Sequence, residues 1–203
     1  MPRQKTEAYK VFEKNLERSN AFLRLFDVDR TVGQPTNDEK ELLRGAVVFA
    51  IGALDAFLHE LVLEIVPKFG GNRSALAEAL RSIARDDPGL SLRIVLAAQG
   101  GGPIDEEFRE ALDSWLEKKS FQGVTRVASA LSYVGVKLSI KDFDQVTGLN
   151  TGERLEYYTD MRHSIVHRGL RPNAVRSSAA ECVAMIAAMA KAINAETVKF
   201  YNS

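Results

Sequence analysis

Apolar residues recur at helical spacing along nearly the whole chain, and no stretch alternates apolar and polar residues long enough to build a sheet. Residues 90–98 and the end of 136–146 fit short helices better than strands. The main helices are predicted at about residues 5–28, 37–66, 74–84, 105–119, 121–135, 151–169 and 174–200. The pattern therefore predicts an all-α protein.

The predicted helix at 37–66 is the longest and contains the most apolar run, GAVVFAIGALDAFLHELVLEIV. Asp55, His59, Glu60 and Glu64 interrupt this run, at a cost that would be large inside a bilayer. We therefore expect the central buried helix of a soluble bundle rather than a membrane span. Because no interdomain linker or signal-peptide core is found, we expect one domain over 1–203, located in the cytoplasm.

The strongest break in the helical pattern is QGGGP at residues 99–103. A glycine-rich run of this kind resembles a phosphate loop. It lacks the Gly-Lys-Ser/Thr ending, and no predicted strand precedes it. We therefore interpret it as a plain loop.

Composition adds two constraints. The chain has 27 basic and 27 acidic residues, so a uniformly basic nucleic-acid coat is excluded while a local patch is not. Its single cysteine, Cys182, cannot form an internal disulfide and fits a reducing compartment. Because its neighbours are apolar, we expect Cys182 to be a buried packing residue rather than a nucleophile.

Positive charge is concentrated in and after the stretch DMRHSIVHRGLRP at residues 160–172. Arg162, Arg168, Arg171 and Arg176 lie within 15 residues, and no acid occurs from Met161 to Ala180. Guanidinium groups bind phosphate oxygens in a bidentate fork, which an ammonium group cannot do. The arginines therefore predict a phosphate-binding patch, or else a solvated helix end that complements the helix dipole.

The same stretch holds two of the three histidines, His163 and His167, one helical turn apart. Three interpretations are open: a His-x-x-x-His metal pair, a structural pair with one ring packed and one exposed, and a phosphodiester-cleaving site. The nearby arginines disfavour a cation, and Asp160 is the only acid on that face. In the third interpretation His167 transfers a proton while Arg162 clamps the phosphate, because RNA carries its own 2′-hydroxyl nucleophile.

Helical geometry separates the two proposed catalytic groups. Arg162 and His167 are five positions apart, which is about 140° around an ideal helix. They work together only if the helix loosens near Gly169 or if two chains assemble the site. A twofold dimer would bring two copies of the segment together, and we favour that arrangement.

The residues Arg162-His163-Ser164-Ile165-Val166-His167 resemble the signature of the HEPN superfamily, which is an arginine, a polar residue, three further residues and a histidine. The run AVVFAIGALDAFLHELV resembles the early HEPN helix that carries an acidic residue, here Asp55. The segment KSFQGVTRVASALSYVGVKL before the motif is similar to the RiboL-PSP group of ribonuclease-type toxins. The likeness covers about residues 37–200.

This resemblance implies an all-α bundle that cuts RNA as a homodimer, without metal or cofactor, as a toxin or phage-defence effector. Arg162 and His167 would be the catalytic pair, with His163 beside the arginine. Asp55 would orient a catalytic side chain, or would be a buried acid paired only to satisfy its own charge. The resemblance also implies RNA binding by the arginines near the motif: Arg168, Arg171 and Arg176.

Three further expectations accompany this resemblance. In one toxin branch a tyrosine two positions past the histidine is modified by an antitoxin. Gly169 occupies that position here, so neutralisation by that route is not expected. Another antitoxin or regulatory partner is expected instead. Tyr157 and Tyr158 would stack RNA bases or be packed, and His59 would be a satisfied core histidine. Non-catalytic HEPN-like dimerisation or nucleotide-binding modules are the alternative function.

Overall fold

A computed structural model describes residues 5–28, 33–67, 81, 83–85, 87–99 and 106–201. The described ranges contain helices and connecting loops and no β-strand, which confirms the all-α prediction. The helices are α1 Glu7–Val28, α2 Asn37–Ile65, α3 Pro88–Gln99, α4 Glu106–Leu116, α5 Val124–Tyr133, α6 Ile140–Thr147, α7 Thr151–Arg168 and α8 Arg176–Tyr201.

Helix α2 is the centre of the bundle, as predicted. It packs against α1, α4, α5, α7 and α8. Thr36 begins it with a capping box, in which the Thr36 hydroxyl accepts from the Glu39 N–H and the Glu39 carboxylate accepts from the Thr36 N–H. Phe57 is fully buried against Phe12 of α1, with ring centroids 5.4 Å apart. Aromatic packing therefore holds α1 along α2.

The polar residues inside the apolar run of α2 have structural partners. Glu64 accepts from the N–H of Ala8 at 2.9 Å, so it satisfies a donor in the first turn of α1. Among the described residues, α2 and α8 are long and apolar enough to cross a membrane by length and composition. In this fold the most apolar windows of α2 and α8 are 56% and 50% buried inside the bundle.

One helix starts earlier than the sequence predicts. A short helix was expected at 90–98, but α3 begins at Pro88, and the Asp87 carboxylate accepts from the Leu90 N–H at 3.0 Å. Proline suits a first helical turn, since its missing N–H has no partner there. Thr151 is the first residue of α7, and Asn150 is its cap.

Two sequence predictions fall largely on undescribed residues. The predicted helix at 74–84 lies outside the described residues except at 81, 83 and 84, which are helical. The QGGGP loop lies outside them except for Gln99.

The core holds titratable groups in their neutral form. Cys182 is buried, as predicted, and burial raises the pKa of its thiol far above the usual 9.0. Burial likewise raises the pKa of Tyr158 far above 10.0, even though the Ser178 hydroxyl, 3.1 Å from the phenol oxygen, lowers it. Ionisation of either group therefore costs free energy while the chain is folded.

We expect the fold to lose stability in alkali. The folded-state pKa values of Tyr158 and Cys182 are raised, so their contribution is fully present below the unfolded values of 10.0 and 9.0. It is lost as the pH rises above them, because only the unfolded chain releases these protons. The melting temperature measured from pH 7 to 11 should fall above about pH 9. Tyr158→Phe should flatten that fall, and an unchanged slope in this variant would contradict the assignment.

Candidate active site

The site residues of the sequence prediction lie at the end of α7. Leu155, Tyr158 and Met161 are buried on one face of this helix. The helix stays regular through Arg168 and ends at Gly169, whose left-handed φ of 62° favours glycine. The helix therefore does not loosen within the signature.

The three histidines fall into two environments. His59 is half-buried, with Nδ1 2.8 Å from the Asp55 carbonyl oxygen and Nε2 3.1 Å from that of Leu116. This confirms the prediction of a satisfied core histidine. His163 and His167 are both exposed, with ring centroids 4.9 Å apart. The expectation that one of the pair is packed is therefore wrong, since the outer face of α7 places both rings in solvent.

The histidine pair has no third metal ligand beside it in the part of the chain that the structure describes. No group of three or more His, Cys, Asp or Glu side chains that could hold a metal ion occurs there. Two imidazoles alone fall short of the three protein ligands of a catalytic zinc site. Both rings are open to solvent.

Arg162 points away from the histidine pair into a groove between α1, α2 and α7, which we call the Arg162 groove. The cavity measures about 300 Å³. Its lining residues are Asn15, Arg18, Val48, Phe49, Gly52, Ala53, Ala56 and Arg162. The Nε atom of Arg162 is buried and has no hydrogen-bond partner. His167 is not among the lining residues, so one chain does not bring the two proposed catalytic groups into a common cavity.

The arginines that follow the motif differ in their partners. Arg176 forms a bidentate pair with Asp27 of α1, at 3.0 and 2.9 Å. Arg171 lies 3.2 Å from Glu41 of α2. Arg168 is exposed and has no ion-pair partner among the described residues. An RNA phosphate would meet Arg168 directly but would compete with carboxylates for the other two.

A buried arginine that the sequence reasoning missed holds the same segment. Arg44 of α2 is 4% exposed, and its Nε donates to the carbonyl of Pro172 at 2.8 Å. It also pairs with Glu41 at 2.9 Å. The spacing of Glu41 and Arg44 fits a helical ion pair, but nothing in the sequence indicates the contact with Pro172. This contact fixes the chain after Gly169 against the central helix.

The Asp55 side chain faces a loop rather than His163 and His167. Its carboxylate accepts from the N–H of Phe121 and, at 2.9 Å, from the side-chain amide of Gln122. Its Oδ1 is 3.8 Å from His59 Nδ1. These partners anchor the loop between α4 and α5 to the central helix. The contacts support the interpretation of Asp55 as an acid that satisfies its own surroundings.

We expect Asp55→Ala to lower the free energy of unfolding by about 2 kcal/mol, because two donors lose a half-buried carboxylate. Gln122→Ala removes one of these bonds and should cost about half as much. Urea unfolding of both variants measures the difference. An Asp55→Ala variant as stable as wild type would contradict the anchoring role.

The two tyrosines of α7 are not equivalent. Tyr158 is fully buried, and its hydroxyl lies 3.0 Å from the Glu181 carboxylate, so it cannot stack on RNA bases as was considered. Tyr157 is 46% exposed. Base stacking on Tyr157 remains a prediction.

A larger cavity of about 670 Å³ lies between α1 and α8, away from the signature. Four of its charged residues are paired: Lys5 contacts Glu13 at 2.7 Å, and Lys199 contacts Glu196 at 3.5 Å. Lys191 also lines it. Because no residue of the signature lines this cavity, it is a weaker candidate than the Arg162 groove despite its size.

Comparison with protein-family models, with curated proteins and with solved structures finds no match to this chain. The fold and site define an all-α protein with an exposed histidine pair on α7 and an arginine-lined groove between α1, α2 and α7. The HEPN resemblance rests on the residues of the signature and of the apolar helix before it.

Proposed function

We propose that this chain is a metal-independent endoribonuclease of the HEPN type, acting as a homodimer in the manner of a toxin or phage-defence effector. The observation that carries the proposal is the contrast among the histidines. Both ring nitrogens of His59 lie within hydrogen-bond distance of backbone carbonyl oxygens, whereas His163 and His167 are exposed and adjacent on the motif. An exposed imidazole beside arginines is accessible for proton transfer to a bound ligand. Packing does not account for the position of these two rings, so the proposal assigns them to catalysis.

The proposed reaction is an attack within the RNA strand. His167 removes the proton of a 2′-hydroxyl, and that oxygen attacks the adjacent phosphorus. The bond from phosphorus to the 5′-oxygen breaks, and the 5′-oxygen leaves with a proton from an acid, for which His163 is positioned beside His167. The products are a 2′,3′-cyclic phosphate and a 5′-hydroxyl. Arg162 neutralises charge on the phosphorus centre in the transition state.

The regular geometry of α7 supports the proposed dimer. Because Arg162 and His167 lie about 140° apart on α7, the two groups meet only when a second chain supplies one of them. Apolar residues around the motif are available for such an interface: Val166 and Leu170 are each 48% exposed. Exposed apolar side chains beside a polar site are typical of surfaces that associate.

The test is incubation of purified protein with RNA in EDTA, with end-group analysis of the fragments. We expect cleavage at full rate and 2′,3′-cyclic phosphate ends. Cleavage that stops in EDTA and returns with a metal would contradict the mechanism.

A second candidate function is a non-catalytic module that binds nucleotides or RNA. It is favoured by the position of Arg162 in a groove that His167 does not line. This candidate predicts binding of RNA without fragments, so the same incubation separates the two functions.

A further inference from the structure

The Arg162 groove carries positive charge without a counter-ion. Arg18 of α1 and Arg162 of α7 both line it, and its other lining residues include no Asp or Glu. Neither guanidinium has a hydrogen-bond or ion-pair partner among the described residues. Arg171 and Arg176, by contrast, are each paired with a carboxylate. Two unpaired guanidinium groups in one cavity attract an anion.

Two acids that neighbour the groove residues in sequence have partners elsewhere. Glu17, beside Arg18, pairs with Arg24 at 2.6 Å. Asp55, beside the lining residue Ala56, accepts from the Phe121 N–H and the Gln122 amide. These two carboxylates therefore do not pair with the guanidinium groups of the groove.

Buried polar atoms without partners occur on the same two helices. In the described part of the chain they are Ser19 Oγ, Thr159 Oγ1 and Arg162 Nε. Of the three, only Arg162 lines the groove. A buried donor is rarely left unsatisfied, and an ordered water or a bound ion is a usual explanation.

The wall of the groove combines open space with an aromatic ring. A Cβ added to Gly52 would meet nothing within 4 Å, although glycine inside a helix costs stability relative to alanine. Phe49 is 38% exposed and stacks on Phe22, with ring centroids 5.3 Å apart. A nucleotide whose phosphate lies between the guanidinium groups therefore has the Phe49 ring available to stack against its base.

We infer that the Arg162 groove is a phosphate-binding site for a nucleotide or an RNA strand, in which Arg18 and Asn15 of α1 act together with Arg162. Asn15 supplies an amide donor one turn before Arg18. The choice of RNA as the strand rests on the proposed function. A strand held in the groove of one chain would present its phosphate to His167 of the other.

The test measures binding without cleavage. A labelled single-stranded RNA carrying 2′-O-methyl groups throughout has no nucleophile, so fluorescence anisotropy reports affinity alone. Arg18→Ala should raise Kd about tenfold or more and lower the salt dependence of log Kd by about one. Lys141→Ala is the matched control, because it removes one exposed positive charge from α6, outside the groove; its Kd should stay within about twofold of wild type.

Gly52→Leu provides a variant that leaves every charge in place. The added side chain enters open space, so the helix should keep its stability while the groove is filled. We expect the oligonucleotide to bind about tenfold more weakly or worse. Wild-type affinity in both Gly52→Leu and Arg18→Ala, with thermal melts showing folded protein, would overturn the inference.

Competition identifies the source of the phosphate. Adenosine monophosphate that displaces the oligonucleotide supports a free-nucleotide site, and displacement by unlabelled strand alone supports an RNA groove. Displacement by adenosine as strong as by its monophosphate would overturn phosphate recognition.

Cleavage of unmodified RNA separates the two proposals. If Arg18→Ala and Gly52→Leu cut RNA like wild type, the groove inference is contradicted and the ribonuclease proposal is supported. If wild type does not cut RNA but both variants lose binding, the ribonuclease proposal is contradicted and the groove inference is supported.

Discussion

Mixing the Arg162→Ala and His167→Ala variants should restore about a quarter of wild-type RNA cleavage, although each variant alone should be inactive. Random pairing makes about half of the dimers mixed, and each mixed dimer has one intact site of two when the catalytic groups come from different chains. Each single variant should lose about 10² to 10⁴ in rate, since proton transfer or charge stabilisation is missing from both of its sites.

The experiment requires that mixed dimers exist. Co-expressing the two variants with different tags and purifying through both tags isolates the mixed dimer, whose activity should be about half that of wild type. A dimer that carries both tags on His167→Ala chains is the matched control and should stay inactive. An inactive mixed dimer that is fully folded would contradict a site shared between chains, because a site contained in one chain is broken in both.

Phe57→Ala should destabilise the chain by about 3 to 5 kcal/mol, which is a large part of the stability of a domain of this size. Phe57 has no solvent exposure, and its ring contacts Phe12 and Tyr9 of α1, with centroids 5.4 and 6.0 Å away. Removing it leaves a cavity at the centre of the interface between α1 and α2. Urea unfolding measures the loss.

Leu25→Ala is the control for this substitution, because Leu25 is 57% exposed on α1. It should change the free energy of unfolding by no more than about 0.5 kcal/mol. Equal effects of the two substitutions would contradict the packing described here. Because α1 supplies Arg18 and Asn15, loss of this packing should also weaken any binding in the Arg162 groove.

Helical periodicity and end signals are local properties, and the sequence predicted them well. The apolar run of α2 indicated a long helix at about 37–66, and the structure has a helix over Asn37–Ile65. Gly169 was predicted to end α7, and it does so in a left-handed conformation that other residues adopt at a cost. The same reasoning missed the start of α3, because Asp87 before Pro88 is a helix cap as well as a turn signal.

The site was less accessible to sequence reasoning, because its partners lie far apart along the chain. The arginines near the motif formed a positive cluster in sequence, yet Arg176 pairs with Asp27 and Arg171 with Glu41 once α1 and α2 pack beside them. The signature motif placed Arg162 next to the histidines, and the packed helix points it into a groove with Arg18 instead. The carboxylate of Asp55 found its partners in a loop more than 60 residues away.

The sequence by itself determined the helices, the central position of α2 and the end of α7, since these depend on residues within a turn or two of each other. Only the tertiary structure decided which charges are paired, which histidines are exposed and where Arg162 points. Those outcomes depend on contacts between helices distant in sequence, where burial and geometry select the partner of each polar group.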